Sequence, residues 1–258
     1  MSLSTAGEVT VPRSEPERVA QAAGELVLVP AADAARAQSS AREILSRAAI
    51  RIFDVVVAAL LLVALLPLML VVAIAIRADS IGPVLFRCER VGYHGRRLRM
   101  LKLRKMSHQA LGVPLTTDAD MRFTRIGRLL TKLKLDEIPQ LLHVLRGTMS
   151  LVGPRPESAD FVNLRPQDYA VILSVPPGIT GLSQLAFIDE CRILDRDDPV
   201  KDYVGRILPQ KIALDRMYAN RRSLSFNLRI LFWTVVPVLM RCQVAVHRNT
   251  GKMSLRRR

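Results

Sequence analysis

Cysteine is scarce in this chain. Cys88, Cys191 and Cys242 are the only three in 258 residues, and no two form a CxxC pair. A disulfide framework or a zinc site is therefore not expected, and the spacing suits a reducing compartment. The four histidines are scattered, so they give no reason to expect a metal site. Residues 1–40 lack the basic start and apolar middle of a signal peptide. Without sustained periodicity, they are expected to form a mostly disordered tail. Internal repeats and recognised nucleic-acid-binding motifs are also missing. Acidic residues are in deficit, 23 against 38 Lys and Arg, which leaves a net charge of +15. Such a chain calls for a polyanion: nucleic acid, an anionic membrane surface or a phosphorylated substrate.

Apolar residues are plentiful, at 50% of the chain with a mean hydropathy of +0.20. They concentrate in residues 52–76, IFDVVVAALLLVALLPLMLVVAIAI, where Asp54 is the single charge. As a helix this run would measure about 37 Å at 1.5 Å per residue, enough to cross a bilayer. It also weighs against nucleic acid as the partner. Pro67 removes the hydrogen bond to the Val63 carbonyl and should kink or break the helix. Arg42, Arg47 and Arg51 precede the run, and Arg77, Arg87 and Arg90 follow it. Basic flanks stay on the cytoplasmic side. The expectation is a helix that enters the membrane, breaks at Pro67 and returns to the same face; a kinked, tilted span is the alternative. Arg51 and Asp54, three residues apart, should pair on one helix face at the headgroups. A lone carboxylate at the bilayer centre would cost roughly 2.5–3.5 kcal/mol.

Beyond the run, residues 84–104 read as a short hairpin turning at VGYHG. Residues 121–134 read as a basic amphipathic helix, and a second helix should run from near Asp136 to Gly147. Further helices are expected at 157–173 and 200–221. Residues 226–246 read as an apolar, amphipathic element lying in the membrane interface, followed by a basic tail suited to anionic lipid. The chemistry-bearing stretch is KLKLDEIPQLLHVLRGTMSLVGPRPE, residues 132–157. Asp136 and Glu137 are adjacent acids at an expected helix start, with Pro139 in the first turn, which makes Asp136 a plausible N-cap. A helix N-terminus favours phosphate, and Arg125, Arg128, Lys132, Lys134, Arg146 and Arg155 lie nearby in sequence. The pair could hold Mg²⁺ beside a pyrophosphate, or supply a carboxylate nucleophile, or simply cap the helix. In Gly153–Pro156, GPRP, Arg155 stands between two rigid prolines, which suits a phosphate clamp; a stiff loop after the helix is the alternative.

These residues resemble the bacterial sugar transferases, in the compact single-anchor form of the monotopic phosphoglycosyl transferases. The resemblance rests on RIFDVVVAALLLVALLPL (51–68), GPVLFRCERVG (82–92), LKLRKM (101–106), LDEIPQLLHVLRGTMSLVGPRPE (135–157) and PPGITGLSQ (177–185), in the family's order across about residues 47–235. It implies an α+β, mainly helical fold. The parts would be a tail (1–45), a re-entrant membrane helix broken at Pro67 (46–80), a small catalytic domain with a short β-hairpin (81–225), and an interfacial element with a basic tail (226–258). It implies transfer of a sugar phosphate from a UDP-sugar to polyprenyl (undecaprenyl) phosphate, with release of UMP, at the cytoplasmic face of the bacterial inner membrane. Asp136 matches the nucleophile that forms a covalent aspartyl phosphosugar. Glu137 matches the acid that helps bind Mg²⁺. Arg155 matches the phosphate-contacting arginine of the family's PRP motif, Lys102 and Arg104 match its basic strand after the glycine turn, and Asp215 matches an aspartate of its late helix; together with the nearby Lys132 these are the candidate phosphate-binding residues. A homodimer or partners in glycan assembly are compatible with this reading.

The chain also departs from the family pattern. Cys88 stands for a usual Gln, Lys134 for a usual Ser or Thr, and Asn227 for a frequent Asp. Residues 182–192, LSQLAFIDECR, lack the usual Gly-Arg pair. These departures leave two readings: an enzyme with an unusual donor, or a catalytically weak membrane-bound paralogue acting as a binding partner.

Overall fold

A computed structural model describes residues 41–107, 115–116, 120–195, 197–240 and 243–256. The expected tail at 1–40 lies outside the described residues, as do Arg257 and Arg258 of the basic terminus.

The apolar run forms one helix, α1 (Ala41–Asp79), with Pro67 inside it. Helical structure continues through Pro67, so no gap in the helix occurs at the expected break; a proline can bend a helix without ending it. Among the described residues this is the one helix long and apolar enough to cross a membrane. Most of its apolar middle is exposed rather than packed inside the protein.

Both ends of α1 are fastened to the rest of the chain. Near the N-terminal end, Ile50, Asp54 and Ala58 are buried on one face at four-residue spacing. Near the other end, Ile76 is buried with Leu103 and Leu130. Between them, Leu60, Val63, Leu66, Leu70, Val71 and Ile74 are exposed. Arg51 and Asp54 sit together on the helix, and both turn to the globular body. Arg51 donates to the carbonyls of Val144 and Leu145. Asp54 accepts from Ser150 Oγ (2.6 Å) and from the Leu151 amide (3.2 Å). The reason is that a buried carboxylate is far less costly when its lone pairs are used.

The expected hairpin is present. β1 (Leu85–Val91) pairs antiparallel with β2 (Arg97–Leu103) across a 3₁₀ turn at Tyr93–Gly95. The basic amphipathic helix is α2 (Arg125–Leu133), capped by Thr124 Oγ1 accepting from the Gly127 amide. A Cβ on Gly127 would lie 1.8 Å from the Lys105 carbonyl oxygen, so glycine is what lets α2 approach the segment just after β2 that carries Lys105.

The helix expected from Asp136 to Gly147 divides in two: a 3₁₀ segment, Leu135–Gln140, and then α3 (Leu141–Arg146), closed by Gly147 in the left-handed region. β3 (Ser150–Val152) follows, then α4 (Ala159–Leu164) and α5 (Pro166–Ile172), which part at Arg165. β4 (Gly178–Thr180) runs parallel to β3. Three short helices come next: α6 (Leu182–Ala186), α7 (Glu190–Ile193) and α8 (Pro199–Asp202). A π-helical turn at Tyr203–Ile207 leads into α9 (Leu208–Arg221).

The element expected at 226–246 is a helix only in its first part. α10 spans Leu224–Met240, and residues 243–246 belong instead to a second hairpin, β5 (Gln243–Val246) with β6 (Met253–Arg256). On α10, Asn227 and Ile230 face the core while Leu228, Phe232 and Val235 are exposed at helical spacing. The main core joins Ala58 of α1 with Leu98 and Met100 of β2, Val144 of α3, Val152 of β3, Leu182 of α6, Tyr218 of α9 and Ile230 of α10. The membrane-type helix is thus part of the same core as the acid-pair segment.

Candidate active site

α2 ends at Lys134, whose backbone is left-handed (φ 57°) and whose amide bonds back to Leu130 and Thr131. That sharp stop swings the chain into the 3₁₀ turn, and it corrects the expected role of Asp136. Asp136 is not an N-cap; Lys134 occupies that position, without a side-chain cap, and Asp136 lies within the turn. Its exposure is only 2%, and its Oδ2 lies 3.2 Å from Lys105 Nζ.

Glu137 lies beside it, gripped by two cations. Its Oε1 is 2.7 Å from Arg155 Nη2 and 3.2 Å from Lys102 Nζ. Burial works to raise the Glu137 pKa, but Arg155 and Lys102 outweigh it and hold the carboxyl well below the usual range. The field of Glu137 in turn raises the Arg155 pKa. Burial, and next the like charge of Arg155, lower the Lys102 pKa. The three side chains come from β2, the 3₁₀ turn and the GPRP loop. The loop is set by backbone contact between β3 and β4: a Cβ on Gly178 would sit 2.0 Å from the Gly153 nitrogen. Only glycine allows that approach, and it fixes where Arg155 starts.

The structure therefore brings together four of the residues singled out by the sequence: Asp136, Glu137, Arg155 and Lys102. Lys105, bonded to Asp136, is a fifth that the sequence reading did not single out. Its signal was its place at the end of the basic strand. Arg104 is not part of the cluster. It is buried and donates to the carbonyls of Ile76, Ser80 and Ile81, where it closes the end of α1. Arg104 lies just past the end of β2, where its amide bonds to the Val84 carbonyl beside the end of α1. Lys132 is exposed in the last turn of α2, and Pro67 is exposed on α1.

Asp215 belongs to a second buried group. Burial pushes its carboxyl up to about 7, against the opposing effects of Ser183 and Lys211. Its Oδ1 has no hydrogen-bond partner. Around it Glu157 accepts a 2.6 Å bond from the Tyr203 hydroxyl, and Lys211 Nζ donates to that hydroxyl (2.8 Å) and to Glu190 Oε2 (3.1 Å). A carboxyl whose folded pKa lies above its unfolded value contributes stability that is fully present below about pH 3.9 and lost as pH rises through about 7. Asp215→Asn should therefore flatten the stability profile, adding up to about 4 kcal/mol at pH 8 and little at pH 4. Thermal melts of both proteins between pH 4 and 8 check this, and parallel curves would contradict it.

A long apolar helix is fastened to a small helical body that carries an acid pair gripped by three cations. The chain belongs to the bacterial sugar transferase family, whose model matches residues 45–241. It is 40% identical over 194 residues to the UDP-glucose:undecaprenyl-phosphate glucose-1-phosphate transferase of Caulobacter vibrioides, covering 73% of this chain and 69% of that protein. It is 37% identical to the undecaprenyl-phosphate glucose phosphotransferase of Komagataeibacter xylinus, covering 72% of this chain but 35% of that one. It is 36% identical to the exopolysaccharide production protein PSS of Rhizobium leguminosarum bv. phaseoli, covering 74% of this chain and 95% of that one. The matched region spans less than half of several of its longer relatives.

Proposed function

We propose that this chain is a membrane-embedded phosphoglycosyl transferase that moves a sugar phosphate from a UDP-sugar to polyprenyl phosphate in an early step of surface-glycan assembly. The observation that carries this is the adjacent pair Asp136–Glu137 set among Lys102, Lys105 and Arg155. In the first step an Asp136 carboxylate oxygen attacks the sugar-bearing phosphorus. The P–O bond to the bridging oxygen breaks, and UMP leaves with that oxygen. In the second step a phosphate oxygen of the polyprenyl phosphate attacks the same phosphorus. The aspartyl–phosphorus bond breaks, giving the polyprenyl diphosphate sugar and restoring Asp136. An anionic carboxylate is repelled by an anionic diphosphate, so the cations around the pair must offset the phosphoryl charge first. Arg155 and Lys102, already converging on Glu137, are positioned to do this. Arg104 is assigned to the end of α1 rather than to phosphate.

Among the described residues no cluster of three or more acidic, histidine or cysteine side chains forms a ready-made metal cage. The donor set nevertheless fits Mg²⁺, which takes one or two carboxylates and completes its shell with water and substrate phosphates. Glu137, with Asp136 beside it, would hold the ion. When bound, the ion supplies further neutralisation of the diphosphate.

The re-entrant arrangement of α1 is part of this proposal. Its support is that the Ile50–Ala58 end and the Ile76 end both pack on one body while the apolar middle is exposed. Both basic flanks then face the cytoplasm, with the exposed Leu228, Phe232 and Val235 of α10 resting in the interface. Leu45→Cys and Ser80→Cys, each in a background without the native cysteines, should resist an impermeant thiol reagent added to intact cells. Labelling of only one of them from outside would sink this topology. The activity is tested by UMP release on incubation with undecaprenyl phosphate, Mg²⁺ and a panel of UDP-sugars. Release with at least one donor is expected, and none with any donor would favour the weak-paralogue reading.

A further inference from the structure

Two of the places where the chain departs from its family pattern meet in space. Lys134 Nζ, two residues before Asp136, donates to the Ile188 carbonyl at 3.4 Å. Glu190, two residues further on, receives the Lys211 ammonium at 3.1 Å. Residues 187–190 are thus tied on one side to the acid-pair turn and on the other to α9. Lys211 is buried among partners from three parts of the chain. It bonds to Glu190 of α7 and to the Tyr203 hydroxyl, and it lies 3.8 Å from Glu157 Oε2 and 4.9 Å from the Tyr203 ring centre. Glu157 is two residues after Arg155, and its carbonyl accepts from the Val91 amide. After Glu137, the charges that hold Arg155 protonated include Glu190 and Glu157. One buried ammonium therefore joins two carboxylates whose charges both act on Arg155. Without it the buried Glu157 and the partly buried Glu190 would lose the ammonium they share, an arrangement that cannot persist unchanged.

The geometry points to Lys211 as a positioning residue for the donor. It locks residues 187–190 to the GPRP loop, and through that lock it sets the affinity for the UDP-sugar. This rests on the proposed transfer reaction and extends it to a residue that touches neither reacting atom. Residues 187–190 carry both tethers and stand next to the Asp136–Glu137 turn, and the donor rather than the lipid phosphate is the substrate expected to sense the lock.

The test is steady-state kinetics of the full-length protein in detergent, with KM measured for the UDP-sugar and for undecaprenyl phosphate separately. Lys211→Met should raise the donor KM about tenfold or more, with the lipid KM and kcat changed less than about threefold. Lys211→Arg should recover most of the loss. Adding Glu190→Gln to Lys211→Met removes one of the two stranded carboxylates and should also recover part of it. Arg216→Gln, on α9 like Lys211, breaks an exposed pair with Asp168 of α5 and should leave both KM values alone. Equal rises in both KM values, an unchanged donor KM, or no recovery in the paired variant would each overturn the assignment. Hydrogen exchange of the amides in 187–194 gives a reading independent of turnover. It should be faster in Lys211→Met than in wild type, and unchanged protection would overturn the lock. Absence of UMP release by wild type with every donor would count against the transfer reaction, while the exchange result would still decide the lock.

Discussion

Asp136→Asn should reduce UMP release by at least about a thousandfold, because the amide keeps the shape of the side chain but lacks a nucleophilic oxygen anion. Asp136 is almost fully enclosed and pairs with Lys105 at 3.2 Å, so it is already held in one place before substrate arrives. The asparagine oxygen can still accept from Lys105, so folding should survive. The measurement pairs rate with mass. Wild type given donor alone should gain the mass of one sugar phosphate, located on the peptide containing residue 136, and the variant should gain nothing. Retention of more than a few per cent of wild-type turnover by the variant would exclude the covalent route.

Arg155→Lys should lower kcat/KM by roughly a hundred- to a thousandfold, the range seen when one preorganised donor to a developing charge is lost. The positive charge stays, so this variant separates geometry from simple neutralisation. A lysine cannot present a planar fork to a phosphate, and it lacks the reach fixed by the flanking prolines. If the arginine served only to balance Glu137, then Arg155→Lys would be nearly silent and Arg155→Met with Glu137→Gln would work. Both outcomes are readable in the same UMP assay, and either would remove Arg155 from the list of phosphate contacts.

Where local rules dominate, the sequence was easy to read. The β1–β2 hairpin followed from a glycine-bearing turn between strand-like runs, and α2 followed from helical spacing of its apolar residues. Where long-range contact decides, it was not. The parallel pair β3–β4 is three residues a side, too short to leave a periodic pattern, yet it sets the start of the Arg155 loop. Asp136 looked like a cap because the left-handed stop at Lys134 cannot be foreseen from a lysine. Arg104 looked like a phosphate ligand because a basic residue carries no sign of which anion or carbonyl it will meet. Residues 243–246 continued an apolar stretch, and apolarity alone does not separate a short strand from a helix end. The turn signal at Asn249–Gly251 was the available clue. The acid pair, Arg155 and Lys102 were legible because their chemistry is unusual in that density, whereas the Glu157–Lys211–Glu190 junction joins positions up to 54 residues apart.

The fastening of α1 by Arg51 and Asp54 has a practical meaning for anyone wishing to handle this protein. Asp54 holds the strand that leads straight into Gly153 and Arg155, and Ala58 fills the core beside Val144 and Val152. The anchor and the catalytic body therefore have no seam at which to cut. A fragment that begins after residue 80 would expose a cored-out groove and leave Ser150 facing solvent, so the long apolar helix must travel with the rest of the chain.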